Sequence, residues 1–234
     1  MSSRLSQVAV GGLVSAAAFL SIGTVLSGSG WANPSYLWQG NSTCGPLSGE
    51  MEQVTLPFAA GDRLRINLTG SVHYIPGEKA EAIVKGDSGV VSHVRMSSGE
   101  LSLDCASSWS TPKFDVTISG PPIEKWDLTG SGDLTLSQLQ QPKLEITIKG
   151  SGSSVATGAV QKLEISISGS GSARFGDLTA QSASVAIRGS GDAQITAKTD
   201  ADVSIYGSGN VELSGRPEIR RADIKGSGRI VQMP

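Results

Sequence analysis

Glu145 and Glu164 are the residues in this sequence best placed to do chemistry. They stand 19 residues apart. A pair of carboxylates held about 5 Å apart is what a retaining glycosidase needs, one as nucleophile and one as acid and base. The other groups offer less. His73 and His93, the only histidines, have no acidic or cysteine partner at a useful spacing. No Gly-x-Ser-x-Gly stands on a strand-to-helix elbow, so both read as structural or surface residues. Cys44 and Cys105 each lack a second Cys or a His at ligand spacing, which argues against a zinc site.

Whether the two glutamates meet depends on the elements that carry them, and those repeat. Gly-Ser-Gly occurs at Gly130–Gly132, Gly150–Gly152, Gly169–Gly171, Gly189–Gly191, Gly207–Gly209 and Gly226–Gly228, in steps of 20, 19, 20, 18 and 19 residues. Two residues before each copy stand Leu128, Ile148, Ile167, Ile187, Ile205 and Ile224, and two residues earlier Trp126, Ile146, Ile165, Val185, Val203 and Ala222. The residues between them are polar or small, and the alternation resumes beyond the tripeptide with Leu134, Ser154, Ala173, Ala193, Val211 and Ile230. Period-2 alternation on both sides of a glycine corner predicts strand, turn and strand in every repeat. A fixed period of this length predicts a stack of such repeats. The expected fold is all-β, a single-stranded parallel β-helix with rungs of about 19 residues.

Rungs about 4.8 Å apart would place Glu145 and Glu164 on adjacent rungs, pointing outward, roughly 5 Å from each other. Lys149 and Tyr206 share that face. Asp133 and Asp192 fall three rungs apart, about 14 Å, too far for a carboxylate pair. No segment builds a cleft beside the glutamates, and no aromatic platform for a sugar stands near them. The plain reading is a solvated face with mildly repelling charges, and no catalytic, cofactor-binding or metal residue is expected. Tyr36, Trp38, Trp109 and Trp126 read as caps of a narrow core.

The glycines themselves read as corners. Gly130, Gly132, Gly150, Gly152, Gly169, Gly171, Gly189, Gly191, Gly207, Gly209, Gly226 and Gly228 would supply positive φ and let successive corners approach. Ser131, Ser151, Ser170, Ser190, Ser208 and Ser227 would then stack into a column of hydroxyls. A phosphate loop needs a following Lys-Ser/Thr and a helix, and here a strand follows every copy. A calcium-binding roll repeats every nine residues or so, not every 19. The inward ladders turn polar at Glu124, Arg220 and Gln232, which predicts the two ends of the stack there. Pro234 lacks a donor for an added strand.

Upstream of the array, strands are expected at Arg63–Leu68, Val72–Ile75, Glu81–Lys85, Gly99–Cys105 and Lys113–Ser119. Val90–Met96 is the one short helix candidate. The chain has 30 glycines in 234 residues and only 5% aromatics, which suits short strands and tight turns. A net charge of −2, with no basic cluster longer than Arg220-Arg221, excludes a nucleic-acid footprint. At the N-terminus, Arg4 precedes a small and apolar run to Leu26, and Gly30 and Ala32 suit a cleavage after Ala32. Residues 1–32 are expected to be a secretory signal. The alternative is an uncleaved anchor, the one place where a membrane contact is expected. Residues 33–49 would be irregular and residues 50–234 the β-helix. Export favours a disulfide between Cys44 and Cys105.

Taken together, Leu64-Arg65-Ile66-Asn67-Leu68-Thr69-Gly70-Ser71-Val72, Glu100-Leu101-Ser102-Leu103 and corners such as Leu128-Thr129-Gly130-Ser131-Gly132-Asp133-Leu134 resemble the head GIN domain family of auto-transporter adhesins. The resemblance runs from about Met51 to Met233. It implies an exported bacterial protein, periplasmic or on the cell surface, built as a right-handed parallel β-helix, and it supplies no catalytic residues. The expected function is non-enzymatic binding or scaffolding at the cell envelope, with an envelope protein or a glycan as partner and no cofactor. The alternative is a polysaccharide lyase or hydrolase using Glu145 and Glu164.

Overall fold

The structure, a computed structural model, describes residue 44 and residues 46–59, 61–105 and 112–233, all within the unit Thr43–Pro234. The proposed signal, Tyr36, Trp38, Trp109 and Pro234 lie outside the described residues. Among those described, no helix is long and apolar enough to cross a membrane.

Four long strands carry the repeat: β9 (Asp133–Gly150), β10 (Ser153–Gly169), β11 (Ser172–Gly189) and β12 (Asp192–Gly207). In β9 the buried positions are 134, 136, 139, 141, 144, 146 and 148, and in β11 they are 173, 175, 178, 180, 183, 185 and 187. Steps of two keep a straight strand facing the core. Each step of three marks a bend that turns the next stretch inward again, so one rung closes around its own interior. The pairings β9–β10, β10–β11 and β11–β12 are all parallel. They align Ile148, Ile167, Ile187 and Ile205 in one ladder and Ile146, Ile165, Val185 and Val203 in another, each with no more than 3% of its surface exposed. Truncating one of these isoleucines to Ala would cost about 2–5 kcal/mol. The array ends on β13 (Asn210–Ser214), β14 (Glu218–Gly226) and β15 (Arg229–Gln232), paired parallel to β12 and β13.

The other end departs from the expected order. β2 (Arg63–Asn67) and β3 (Gly70–Pro76) form a rung of the same kind, with Gly70 at its corner at φ 129°. It lies directly against β8 (Lys125–Gly130) and β9. β6 (Glu100–Leu103) and β7 (Phe114–Gly120) stack on its far side, so the earlier rung is enclosed between two later ones. Glu124 therefore does not mark the end of the stack. The stack ends beyond β7 and β6, where direction reverses. There β1 (Met51–Pro57), β4 (Glu81–Asp87) and β5 (Val94–Ser97) add antiparallel strands.

The helix candidate at Val90–Met96 divides differently. α1 is one turn, Ser88–Val91, started by Asp87, whose carboxylate accepts from the Gly89 amide at 2.9 Å. Val94 onward is β5. Asp87 also accepts from the amides of Ser48 and Gly49, at 2.9 and 2.7 Å, and those bonds hold its carboxyl below the usual range. The segment before β1 is thus tied to the end of the stack, and the Cys44–Cys105 disulfide ties it a second time.

Candidate functional site

The register of β9 against β10 puts Glu145 directly beside Glu164, as adjacent rungs require. What lies between them differs from the expected bare repulsion. Lys143 Nζ stands 3.1 Å from Glu145 Oε2 and 3.1 Å from Glu164 Oε2, and Lys162 Nζ adds a second contact to Glu164 at 2.6 Å. The hydrogen bond from Lys162, followed by that from Lys143, holds the Glu164 carboxyl below the ordinary glutamate value. Glu164 and Glu145 in turn push the Lys143 ammonium up. A general acid needs the opposite, a carboxyl raised toward neutrality by burial. Lysines pairing both carboxylates also remove the free nucleophile. The hollow beside them, about 140 Å³, is a shallow dip between Thr147, Ser166 and Ser184.

Toward the corner, the outward column reads Lys149, Ser168, Arg188, Tyr206 and Lys225. Arg188 and Lys225 lie 5.9 and 5.1 Å from the centre of the Tyr206 ring, and the Tyr206 hydroxyl donates to Asp223 at 3.0 Å. At the corner, the two glycines serve separate needs. The first, as in Gly150, Gly169, Gly189, Gly207 and Gly226, has φ between 121° and 138°. The second has an ordinary φ but no room. A Cβ on Gly152 would stand 2.6 Å from the Gly132 carbonyl oxygen and 2.8 Å from Leu128 Cδ2. The serine column is held through the backbone instead of through hydroxyls. The amides of Ser151, Ser170, Ser190, Ser208 and Ser227 donate to the first-glycine carbonyl of the preceding rung at 2.9–3.0 Å.

Past the corner, outward side chains from β11, β12, β13 and β15 line a groove of about 420 Å³. Arg174, Gln194 and Glu212 form one wall column, and Asp192, Asn210 and Arg229 the other. Asn210 donates to the Asp192 carboxylate through its amide at 2.9 Å and through Nδ2 at 3.0 Å, which fixes the floor. Four rungs at the strand spacing make the groove about 14 Å long. It presents both charges, two carboxamides and no large aromatic surface. Asp192 lies here, three rungs from Asp133 as expected. Strand alternation sets these two columns side by side on one outward face, two residues apart, but whether their side chains leave a hollow between them depends on packing that the sequence does not record.

Trp126 is fully buried, and its indole N–H donates to the Ile123 carbonyl at 3.1 Å. His73 is exposed on β3, away from His93. His93 Nδ1 meets Asp104 at 2.8 Å, and Arg95 holds the other oxygen of that carboxylate at 2.8 Å. Cys105 lies within reach of both, but its sulfur is committed to Cys44, so the group cannot act as a thiolate metal site.

These features define a class: a parallel β-solenoid with ion-paired outward carboxylates and a polar groove along one face. The chain belongs to the family described as "Putative auto-transporter adhesin, head GIN domain", whose model matches residues 62–217. Three solved structures are similar. A putative adhesin from Bacteroides fragilis is 18% identical, with 80% of this chain and 98% of that one covered and a TM-score of 0.62. A putative lipid binding protein from Parabacteroides distasonis is also 18% identical, with 80% and 98% covered and a TM-score of 0.52. A putative adhesin from Parabacteroides merdae is 16% identical, with 83% and 100% covered and a TM-score of 0.53. At these identities the likeness is one of fold. No curated protein matches the chain.

Proposed function

We propose that this protein is a non-enzymatic, exported binding module of the bacterial cell envelope, and that its partner is a glycan held in the groove past the corners. The groove carries the reading. Arg174, Gln194, Asn210 and Arg229 offer donors, and Asp192 and Glu212 acceptors, on a rigid floor about 14 Å long. A polyhydroxylated chain needs that mixture, and a preformed wall spares the ordering cost of binding. The family's adhesin description agrees with it. Export rests on the sequence of residues 1–32 and on the Cys44–Cys105 disulfide, which persists in oxidising compartments.

Retention on chitin, pectin or peptidoglycan tests the ligand. The expected result is retention by one of them and its loss in Arg174→Ala/Arg229→Ala. No retention of the unaltered protein on any glycan sinks the glycan reading. Cell fractionation with the mass of the mature chain tests export, the expected N-terminus being Asn33. Nothing favours the lyase or hydrolase alternative, whose two carboxylates are held by lysines. Turnover lost in Glu145→Gln/Glu164→Gln would revive it.

A further inference from the structure

The last described rung of the solenoid leaves apolar residues uncovered. Leu128, Ile148, Ile167, Ile187 and Ile205 are buried to within 1% of their surface, yet Ile224, the next member of the same ladder, is 40% exposed. Met233 is 42% exposed and Val231 38%. Among the described residues β14 pairs with β12 alone and β15 with β13 alone, so each offers a free row of amides and carbonyls on its outer side. An edge of this kind invites another strand. A protected edge would carry charges of one sign, because these repel a second copy of themselves. β14 instead reads Glu218, Ile219, Arg220, Arg221, Ala222, Asp223, Ile224, Lys225.

Register fixes which of these point outward. Glu218, Arg221, Asp223 and Lys225 sit beside the outward Asp200, Asp202, Ser204 and Tyr206, while Ile219, Ala222 and Ile224 continue the inward ladders. Arg220 is the extra residue of a bulge and pairs with Asp200 at 3.2 Å. Now let a second β14 run antiparallel to the first, with the two Ala222 residues facing each other. Arg221 of one copy then lies opposite Asp223 of the other, and the reverse. Beyond the bulge, Ile224 meets Ile219 and Lys225 meets Glu218. Every outward pair is oppositely charged, and every inward pair is apolar. Directly opposed residues of antiparallel strands touch, so these matches act as cross-strand contacts. Among the described residues, Glu218, Arg221 and Lys225 form no ion pair within the chain.

We infer that β14 is an isologous interface, through which two copies of this chain join end to end about a two-fold axis at Ala222. Such a pairing closes at two, whereas head-to-tail stacking of rungs would run on into a fibre. It covers Ile224 and fills the open row of backbone groups.

Sedimentation of the full, disulfide-bonded chain over a concentration series is the test. A monomer–dimer equilibrium is expected. Arg221→Asp or Asp223→Arg, each placing like charges opposite each other twice, should weaken it by roughly tenfold or more. Arg221→Asp/Asp223→Arg exchanges the pair within one chain and should restore dimerisation. Ala222→Cys should give a disulfide-linked dimer on mild oxidation. Arg221 and Ala222 are exposed and Asp223 is half-buried, and unchanged thermal melts of the monomeric unit would confirm that the variants fold. A chain that stays monomeric overturns the inference, including one that takes up a different partner at this edge. So does a dimer indifferent to the charge reversals, or one that the double exchange fails to restore.

Discussion

Tyr74 meets Trp126 inside the solenoid, with ring centroids 5.0 Å apart and planes inclined by 59°. The two residues belong to neighbouring rungs only because β2 and β3 are enclosed between β6–β7 and β8–β9. The Tyr74 hydroxyl donates to the carbonyls of Gly120 and Pro121, at 3.1 and 2.9 Å. It thereby pins the chain where it leaves the outer rung for the regular array. Tyr74→Phe keeps the ring contact and leaves the Gly120 carbonyl its bond from the Gly77 amide, but takes the hydroxyl's proton from the Pro121 carbonyl, a loss of about 1–2 kcal/mol measurable by denaturant unfolding. Burial raises the Tyr74 phenol above its ordinary value of 10.0. The unfolded chain therefore ionises first, and the stability this group confers falls as pH rises above that value. The same substitution should flatten the alkaline limb of the stability curve.

The corner glycines should differ in cost. A Cβ on Gly130 meets nothing within 4 Å, so Gly130→Ala bears only the penalty of its φ of 95°, about 1–2 kcal/mol. Gly150→Ala adds a collision with the Gly130 carbonyl. Gly152→Ala strikes the Gly132 carbonyl and Leu128 without any φ penalty. Thermal unfolding should rank Gly150→Ala as the most damaging and Gly130→Ala as the mildest. Equal losses at all three would mean that φ alone governs the corner.

Ser154 occupies an inward position between Leu134 and Ala173, fully buried, and its hydroxyl has no hydrogen-bond partner. An unpaired buried hydroxyl costs about 1–3 kcal/mol. Ser154→Ala should stabilise the protein by about 1 kcal/mol or more, read as a higher denaturation midpoint with an unchanged slope.

Glu164 should titrate below the ordinary glutamate range, followed by NMR of its side-chain carboxyl. A carboxyl depressed in the folded state lends stability above its unfolded value, and that contribution disappears as pH falls through the folded one. Lys162→Met should raise the titration most, because its hydrogen bond is the largest cause, and Lys143→Met should raise it too. A Glu164 carboxyl at the free-peptide value in the unaltered protein would mean that the lysine pairing does not persist in solution.

How much of this was readable in advance varies with the range of the interaction. The strand–corner–strand unit was legible, since alternation and glycine placement act within a few residues. So was the adjacency of Glu145 and Glu164, because a constant period carries one rung onto the next. The role of Lys143 was not, although it stands two residues from Glu145. Its side chain reaches across to the next rung, and only packing decides that reach. The serine column was misread as hydroxyls because the positive φ of the first glycine turns its carbonyl toward the next rung's amide.

The sequence by itself determined the solenoid, its rung length, its inward ladders and its disulfide, because each follows from local periodicity or from the count of cysteines. Tertiary structure alone decided the order of the first rungs, the antiparallel cap, the groove along β11–β15 and the open edge at β14. Those depend on which strands pair across long separations and on where each rung bends. Both are settled by burying the whole core at once, and no local pattern records them.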